Sequence, residues 1–286
     1  MSRHATGDSC ASAFLMAKFW PANPHTTTTI HLFSTMKTIR IRLVAALFAV
    51  ATLFAVPTFV QAQAVTQTAE TQAEMTPAMA LEMLMAGNER FISGGMLERD
   101  LAEQVSITGA GQYPHSVVLS CIDSRVPPEI VFDQGLGDIF SPRIAGNFVN
   151  TDILGSMEFA TAAAGSKLIV VLGHTECGAV KGACDNVELG NLTQTLSNIA
   201  PAVYATEIEG ARNSSNAEFV DAVAHNNVAM TVQNILDRSA VIRGQVEAGE
   251  VMVVGAMYNV ATGEVTLVDG EADHTMGAAH DHGHNH

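Results

Sequence analysis

KLIVVLGHTEC, residues 167–177, decides the fold. Its first part, 167–173, is a short, nearly unbroken apolar run, the pattern of a strand buried on both faces. It ends in His174, Glu176 and Cys177. Upstream, SVVLS at 116–120 has the same character and runs into CIDSR at 121–125. Further strand candidates lie at 139–144, 251–258 and 265–268, the last two joined around Ala261-Thr262-Gly263 as a strand pair. Helical patterns fill the intervals. Thr76 caps a helix with Pro77 at its first position, and Ala80, Leu81, Leu84, Met85 and Phe91 carry it to Ile92, before Gly94-Gly95. Other helices are expected at 151–164, capped by Thr151-Asp152, from about Gly178, and over 191–205 and 217–247, with a polar break at 213–216. Gly109 to Pro114 reads as a turn. Strands alternating with helices indicate an α/β fold: a mainly parallel central sheet with an antiparallel edge strand, flanked by helices.

The chain has 286 residues, enough for one large α/β domain or two small ones, and its 48% hydrophobic content supports a sizeable core. Its formal net charge of −15 argues against nucleic acid, since little here neutralises a row of phosphates. Four cysteines do not make a disulfide scaffold in a chain this long. MKTIRIRLVAALFAVATLFAVPTFVQAQA, residues 36–64, has a basic start at Lys37, Arg40 and Arg42, an apolar stretch interrupted by Pro57, and a small-residue site at Ala62-Gln63-Ala64. That is the pattern of a cleavable signal peptide starting at Met36. It implies a periplasmic or secreted protein with no stable membrane span after cleavage. Residues 1–35 then read as an upstream extension, 65–75 as a flexible leader, 76–270 as the folded domain and 271–286 as a disordered tail. The tail holds His274, His280, His282, His284 and His286, and imidazole-rich tracts bind metals.

Both apolar strands end in residues that bind metals, at the carboxyl ends where open α/β sheets gather ligands. Cys121, His174 and Cys177 offer two thiolates and one imidazole, a donor set that suits tetrahedral Zn2+. Three protein ligands leave one position open, as in catalytic zinc sites. Alternation beyond the strand turns Cys121, Asp123 and Arg125 towards one site. Arg125 can then hold Asp123 through a bidentate pair, leaving the carboxylate as an acceptor beside water activated by the metal. Cys184, His115 and His225 read as ordinary packed or partly buried groups, and Glu176 as a solvated neighbour of the ligands.

The stretch SCIDSRVPPEIVFDQGLGDIFSPRIAGN, 120–147, followed by VVLGHTECGAV, 170–180, resembles the β-class carbonic anhydrases. The resemblance spans about 76–270. It implies zinc held by Cys121, His174 and Cys177, Asp123-Arg125 as the active-site dyad, and reversible hydration of CO2 to bicarbonate and a proton by attack of zinc-bound hydroxide. It also implies a homodimer, often paired into a homotetramer, with the site at the subunit interface. Gln112 and Gly178 resemble substrate-contacting positions, and Phe140 and Ala145 apolar pocket positions offered by the neighbouring subunit. Phe159 stands where many relatives have tyrosine, and a phenyl ring cannot relay a proton. In a closed state Asp123 is an alternative fourth metal ligand. Two other functions fit the same residues: a related zinc hydrolase acting on CS2 or COS, and a non-enzymatic exported zinc-binding protein. The Asp123-Arg125 pair speaks against storage, which does not need one.

Overall fold

The structure is a computed structural model and describes residues 65–268. The expected extension at 1–35, the signal segment at 36–64 and the tail at 271–286 lie outside the described residues. Five strands form one sheet: β1 (Ser116–Ser120), β2 (Ile139–Phe140), β3 (Leu168–His174), β4 (Met252–Tyr258) and β5 (Val265–Leu267). Their order is β2-β1-β3-β4-β5. The first four are parallel, and β5 runs antiparallel to β4 at the edge. This is the expected mixed sheet.

Every residue of β1 and of β3 is buried, which explains their unbroken apolar runs. Successive side chains point to opposite faces. Val117, Leu119, Ile169 and Val171 therefore pack on one side, and Val118, Leu168, Val170 and Leu172 on the other. The first face is covered by α5 (Thr151–Glu158), α6 (Gly178–Cys184), α7 (Gly190–Leu196), α8 (Ala200–Ala205), α9 (Ala217–Arg238) and α10 (Ala240–Glu247). On the other lie α2 (Pro77–Ser93) and the short α4 (Pro128–Val131). Helix α9 presses so closely on β3 that a Cβ at Gly173 would meet Val228 Cγ2 at 2.5 Å and Met257 Sδ at 2.6 Å. A side chain there, directly before His174, would have to displace Val228 on α9 and Met257 on β4. Among the described residues, no helix is long and apolar enough to cross a membrane.

Several expectations need correction. The 65–75 leader contains a helix, α1 (Ala69–Glu74), closed by a reciprocal Thr68–Thr71 capping box. Its Gln72 is buried and donates to Pro114 O at 2.9 Å and Ala164 O at 2.8 Å, so polar satisfaction joins the buried Met75 in fixing the segment. Asn150, not Thr151-Asp152, caps α5, with its Oδ1 accepting from Ile153 N at 2.9 Å. That helix ends at Glu158 and continues as a π-helical turn, Phe159–Ala163. The 191–205 stretch is two helices, α7 and α8. The 217–247 stretch breaks at Ser239, whose Oγ accepts from Ile242 N at 3.1 Å and donates to Glu158 Oε1 at 2.6 Å. A further helix, α3 (Leu101–Thr108), falls in a region where no element was expected.

One ion cluster ties α2 to the turn after α4. Asp133 has a fully buried side chain and a left-handed φ of 48°, which aspartate tolerates better than most residues. Arg90 Nε reaches its carboxylate at 2.6 Å, Arg99 pairs with it too, and Leu97 N donates at 3.1 Å. Burial pushes the Asp133 carboxyl up, but these donors outweigh it and leave it below the ordinary range. Asp133→Asn leaves two guanidinium groups without their counter-charge. It is expected to cost about 3 kcal/mol of unfolding free energy in urea titrations at pH 7. A carboxyl lowered by folding contributes fully above its unfolded value of about 3.9, and the contribution is lost as pH falls through the lower folded value. The gap between wild type and variant should therefore hold above about pH 4 and close below it. A gap under about 1 kcal/mol at pH 7 counts against the cluster's role.

Candidate metal centre

The carboxyl ends of β1 and β3 bring Cys121, His174 and Cys177 together. All three are buried, and their ligand atoms lie within 4.8 Å of one another. The sheet accounts for this: β1 and β3 are neighbours, paired from Ser116↔Leu168 to Ser120↔Leu172, so Cys121 just past β1 meets His174 at the end of β3 and Cys177 beyond it. Glu176 carries the chain round with a left-handed φ of 59° and delivers Cys177 as the N-cap of α6.

The donors fit a tetrahedral thiophilic ion. The two sulfurs are 3.9 Å apart, close to the roughly 3.8 Å that two zinc–sulfur bonds of about 2.3 Å make at a tetrahedral angle. His174 Nδ1 lies 2.9 Å from Thr175 O, which can only accept, so Nδ1 carries the proton. Nε2 is left with its lone pair, buried and without a hydrogen-bond partner. A backbone carbonyl that fixes the tautomer of a ligating histidine is a recurrent feature of metal sites. The two thiols titrate as a pair. The contact with Cys177 brings the Cys121 thiol well below its ordinary range, while the same contact pushes Cys177 up and burial adds to it. The Ala179 and Val180 amides at the start of α6 oppose that rise. One negative charge is easily held between the sulfurs, and a second calls for a cation.

Asp123 and Arg125 stand beside the trio. Arg125 Nε donates to Asp123 Oδ1 at 2.9 Å and Nη2 to Oδ2 at 2.8 Å, the bidentate pair expected from the sequence. They meet through a turn and not through strand alternation: β1 has ended, and Arg125 N bonds Asp123 Oδ1 at 3.0 Å as an Asx-turn. Arg125 holds the Asp123 carboxyl down to about 2. Asp123 Oδ2 is 4.0 Å from His174 Nε2, so the carboxylate faces the same space as the free imidazole lone pair. Glu176 is exposed and pairs with Lys181, and its carbonyl receives Arg125 Nη2 at 3.4 Å.

The other expected site residues divide into two groups. Ala145 precedes Gly146, whose N–H reaches Cys121 Sγ at 3.4 Å, and Gly178 follows Cys177, so both border the trio. Phe140 does not. It pairs with Val117, four residues before Cys121, or about 13 Å along the strand. There it meets Phe159 edge to face at 6.3 Å. The two rings help line a cavity of about 640 Å³ with Val117, Pro142 and Gly155, and none of the trio lines it. Gln112 is exposed before the start of β1, with the whole strand between it and Cys121. Cys184 and His115 are packed as expected. His115 is fully buried between Ser116 Oγ at 2.7 Å and Gln134 Oε1 at 3.0 Å. Sequence reasoning missed Arg143, which donates to Cys121 O at 2.9 Å and to Asp123 O at 2.6 Å and so fixes the segment that carries both residues.

Comparisons with known proteins point one way. The family model described as carbonic anhydrase matches residues 116–265. Carbonic anhydrase 2 of Mycobacterium tuberculosis (strain ATCC 25618 / H37Rv) is 35% identical over 199 residues, covering 68% of this chain and 93% of that protein. Carbonic anhydrase of Mycolicibacterium smegmatis is 37% identical over 198 residues, covering 67% of this chain and 93% of that protein. Among solved structures, the β-carbonic anhydrase CafA of Aspergillus fumigatus matches with a TM-score of 0.51 at 25% identity, over 66% of this chain and 90% of that one.

Proposed function

Because the chain belongs to the carbonic anhydrase family, β class, we propose that it interconverts CO2 and bicarbonate using zinc held by Cys121, His174 and Cys177. The observation that carries this reading is the buried trio with an unpartnered His174 Nε2 between two sulfurs and an ionised carboxylate. Zinc supplies Lewis acidity, which makes water a usable nucleophile near neutral pH.

The chain's own groups do the rest. Asp123, kept ionised by Arg125, can only accept a hydrogen bond. An oxygen that still carries a proton is therefore the one favoured beside Oδ2, and the proton's direction aims the remaining lone pair away from the carboxylate. Arg125 bonds Asp123 through Nε and Nη2 and the Glu176 carbonyl through Nη2, so it positions the acid. A swing of Asp123 off Arg125 and onto the metal is the closed-state alternative.

Gln112, Phe140 and Phe159 serve this reaction only if a second copy brings them to the trio. We propose a homodimer, alone or paired as a homotetramer, that does so. Phe159 is 56% exposed beside Phe140 in an open apolar cavity, which supports the idea. A single-chain mass by light scattering overturns it. Export through the 36–64 segment belongs to the same proposal, and amino-terminal sequencing of the exported product is expected to begin at Val65.

Stopped-flow CO2 hydration with the zinc-loaded full chain tests the activity. A rate far above buffer background, abolished by chelation and restored by zinc, is expected. Background rate with one zinc bound overturns the reading, and faster turnover of CS2 or COS moves it to the related hydrolase.

A further inference from the structure

Cys121 is held by the loop that follows β2, at its carbonyl and at its sulfur. Arg143 takes the carbonyl, and Gly146 N–H takes the sulfur at 3.4 Å. A tight turn aims that N–H. Asn147 N bonds Ile144 O at 3.0 Å, and Gly146 has a φ of 84°, the left-handed conformation that glycine supplies at the third position of such a turn. A side chain at 146 is blocked as well as strained, because a Cβ there would meet Ile199 Cδ1 at 2.3 Å.

The turn has one more attachment. Asn227 Nδ2, from α9, donates to Gly146 O at 2.8 Å. Asn227 is 3% exposed, on a helix face where Val223, Ala224 and Val228 are also buried. A primary amide in such surroundings is unfavourable unless its donors are satisfied. Its partner here is the carbonyl of the residue that points an N–H at a thiol. The peptide joining Gly146 to Asn147 is thus bonded at both ends, its oxygen to α9 and its N–H to Ile144. The preceding peptide, which carries the Gly146 N–H, is the middle peptide of this turn, and with Gly146 at a φ of 84° its N–H is directed at Cys121 Sγ.

We propose that Asn227 is a positioning residue of the metal centre. It pins the 144–147 turn so that Gly146 N–H bonds Cys121 Sγ and withdraws charge from that sulfur, which sets how strongly the pair of thiolates holds its cation. Outer partners of metal ligands commonly tune affinity in this way. The proposal rests on Cys121 being a metal ligand.

The test uses the full chain. Asn227→Leu removes the donor while keeping the branching of the side chain, and Asn227→Asp keeps the shape but sets a carboxylate against the Gly146 carbonyl. In competition with a chromophoric chelator, both variants are expected to bind zinc about 10- to 100-fold more weakly. In the cobalt-substituted chain their sulfur-to-metal charge-transfer absorption should be displaced, a readout to which the histidine tail does not contribute. Asn226→Leu, also on α9, which loses a 2.8 Å bond to Thr206 Oγ1 beyond the end of α8, should change neither. Unchanged affinity and absorption in a folded Asn227 variant overturn the proposal. Should neither variant fold, the wild-type chain loaded with cadmium-113 decides: a scalar coupling between the Gly146 amide proton and the metal is expected across the N–H···S bond. Its absence with both sulfurs ligated overturns the proposal while leaving the function standing. A wild-type chain that binds no metal at these sulfurs removes both.

Discussion

Cys177→Ala is expected to strip the chain of zinc and to bring CO2 hydration down to the buffer rate, a loss of at least about 10³-fold. The size follows from the several kcal/mol of charge stabilisation that a Lewis acid contributes, at one factor of ten per 1.36 kcal/mol. Cys177 is 1% exposed and is one of three donors. Without it, one sulfur and one imidazole remain, too few to hold the ion against a chelator. The fold should survive. Cys177 makes no side-chain cap to α6, and a thiol-to-methyl change removes little volume. Metal analysis, circular dichroism and stopped-flow rates on the same sample separate these effects. A variant that keeps one zinc per chain, or wild-type turnover, would remove Cys177 from the centre.

Asp123→Asn gives the second large effect, with a different signature. Zinc content is expected to stay at the wild-type value while kcat falls by about 10² to 10³, the size of effect seen when one preorganised hydrogen-bonding group is lost. The carboxamide has nearly the same shape but presents a donor on one side and carries no charge, so Arg125 loses its bidentate counter-ion. Arg125 holds the wild-type carboxyl down to about 2, so the wild type keeps its acceptor across the neutral range. The variant's deficit should accordingly stay about constant from pH 6 to pH 9. Equal rates for the two proteins would end the role assigned to Asp123.

The sheet and the trio were legible because one signal gave both. The runs at 116–120 and 167–173 are apolar enough to be buried strands, and ligand chemistry begins where each ends. What stayed hidden was polar or faced outward. Helix α3 has Leu101, Val105 and Ile107 all exposed, so it shows no inward stripe, and the one local signal was Asp100 capping Glu103 N at 2.9 Å. Helix α1 is fixed by Gln72 reaching two carbonyls far away in the chain, and backbone acceptors have no sequence signature. Arg143 and Asn227 were invisible for the same reason: each bonds main-chain oxygens around Cys121. The Asp123–Arg125 contact was foreseen through the wrong geometry, because an Asx-turn and a strand both bring alternate residues together.

The parallel pairing of β1 with β3 also governs when the centre comes into being. Two parallel neighbours cannot be joined by a hairpin; the chain must first run through α4, β2 and α5 before β3 can lie against β1. Until then a nascent chain presents Cys121 alone, and no ion finds three donors. Such high contact order makes the closing step slow and cooperative, and a slip of one residue between the strands would turn their side chains to the wrong faces. The three donors are therefore assembled only once β3 lies in register against β1.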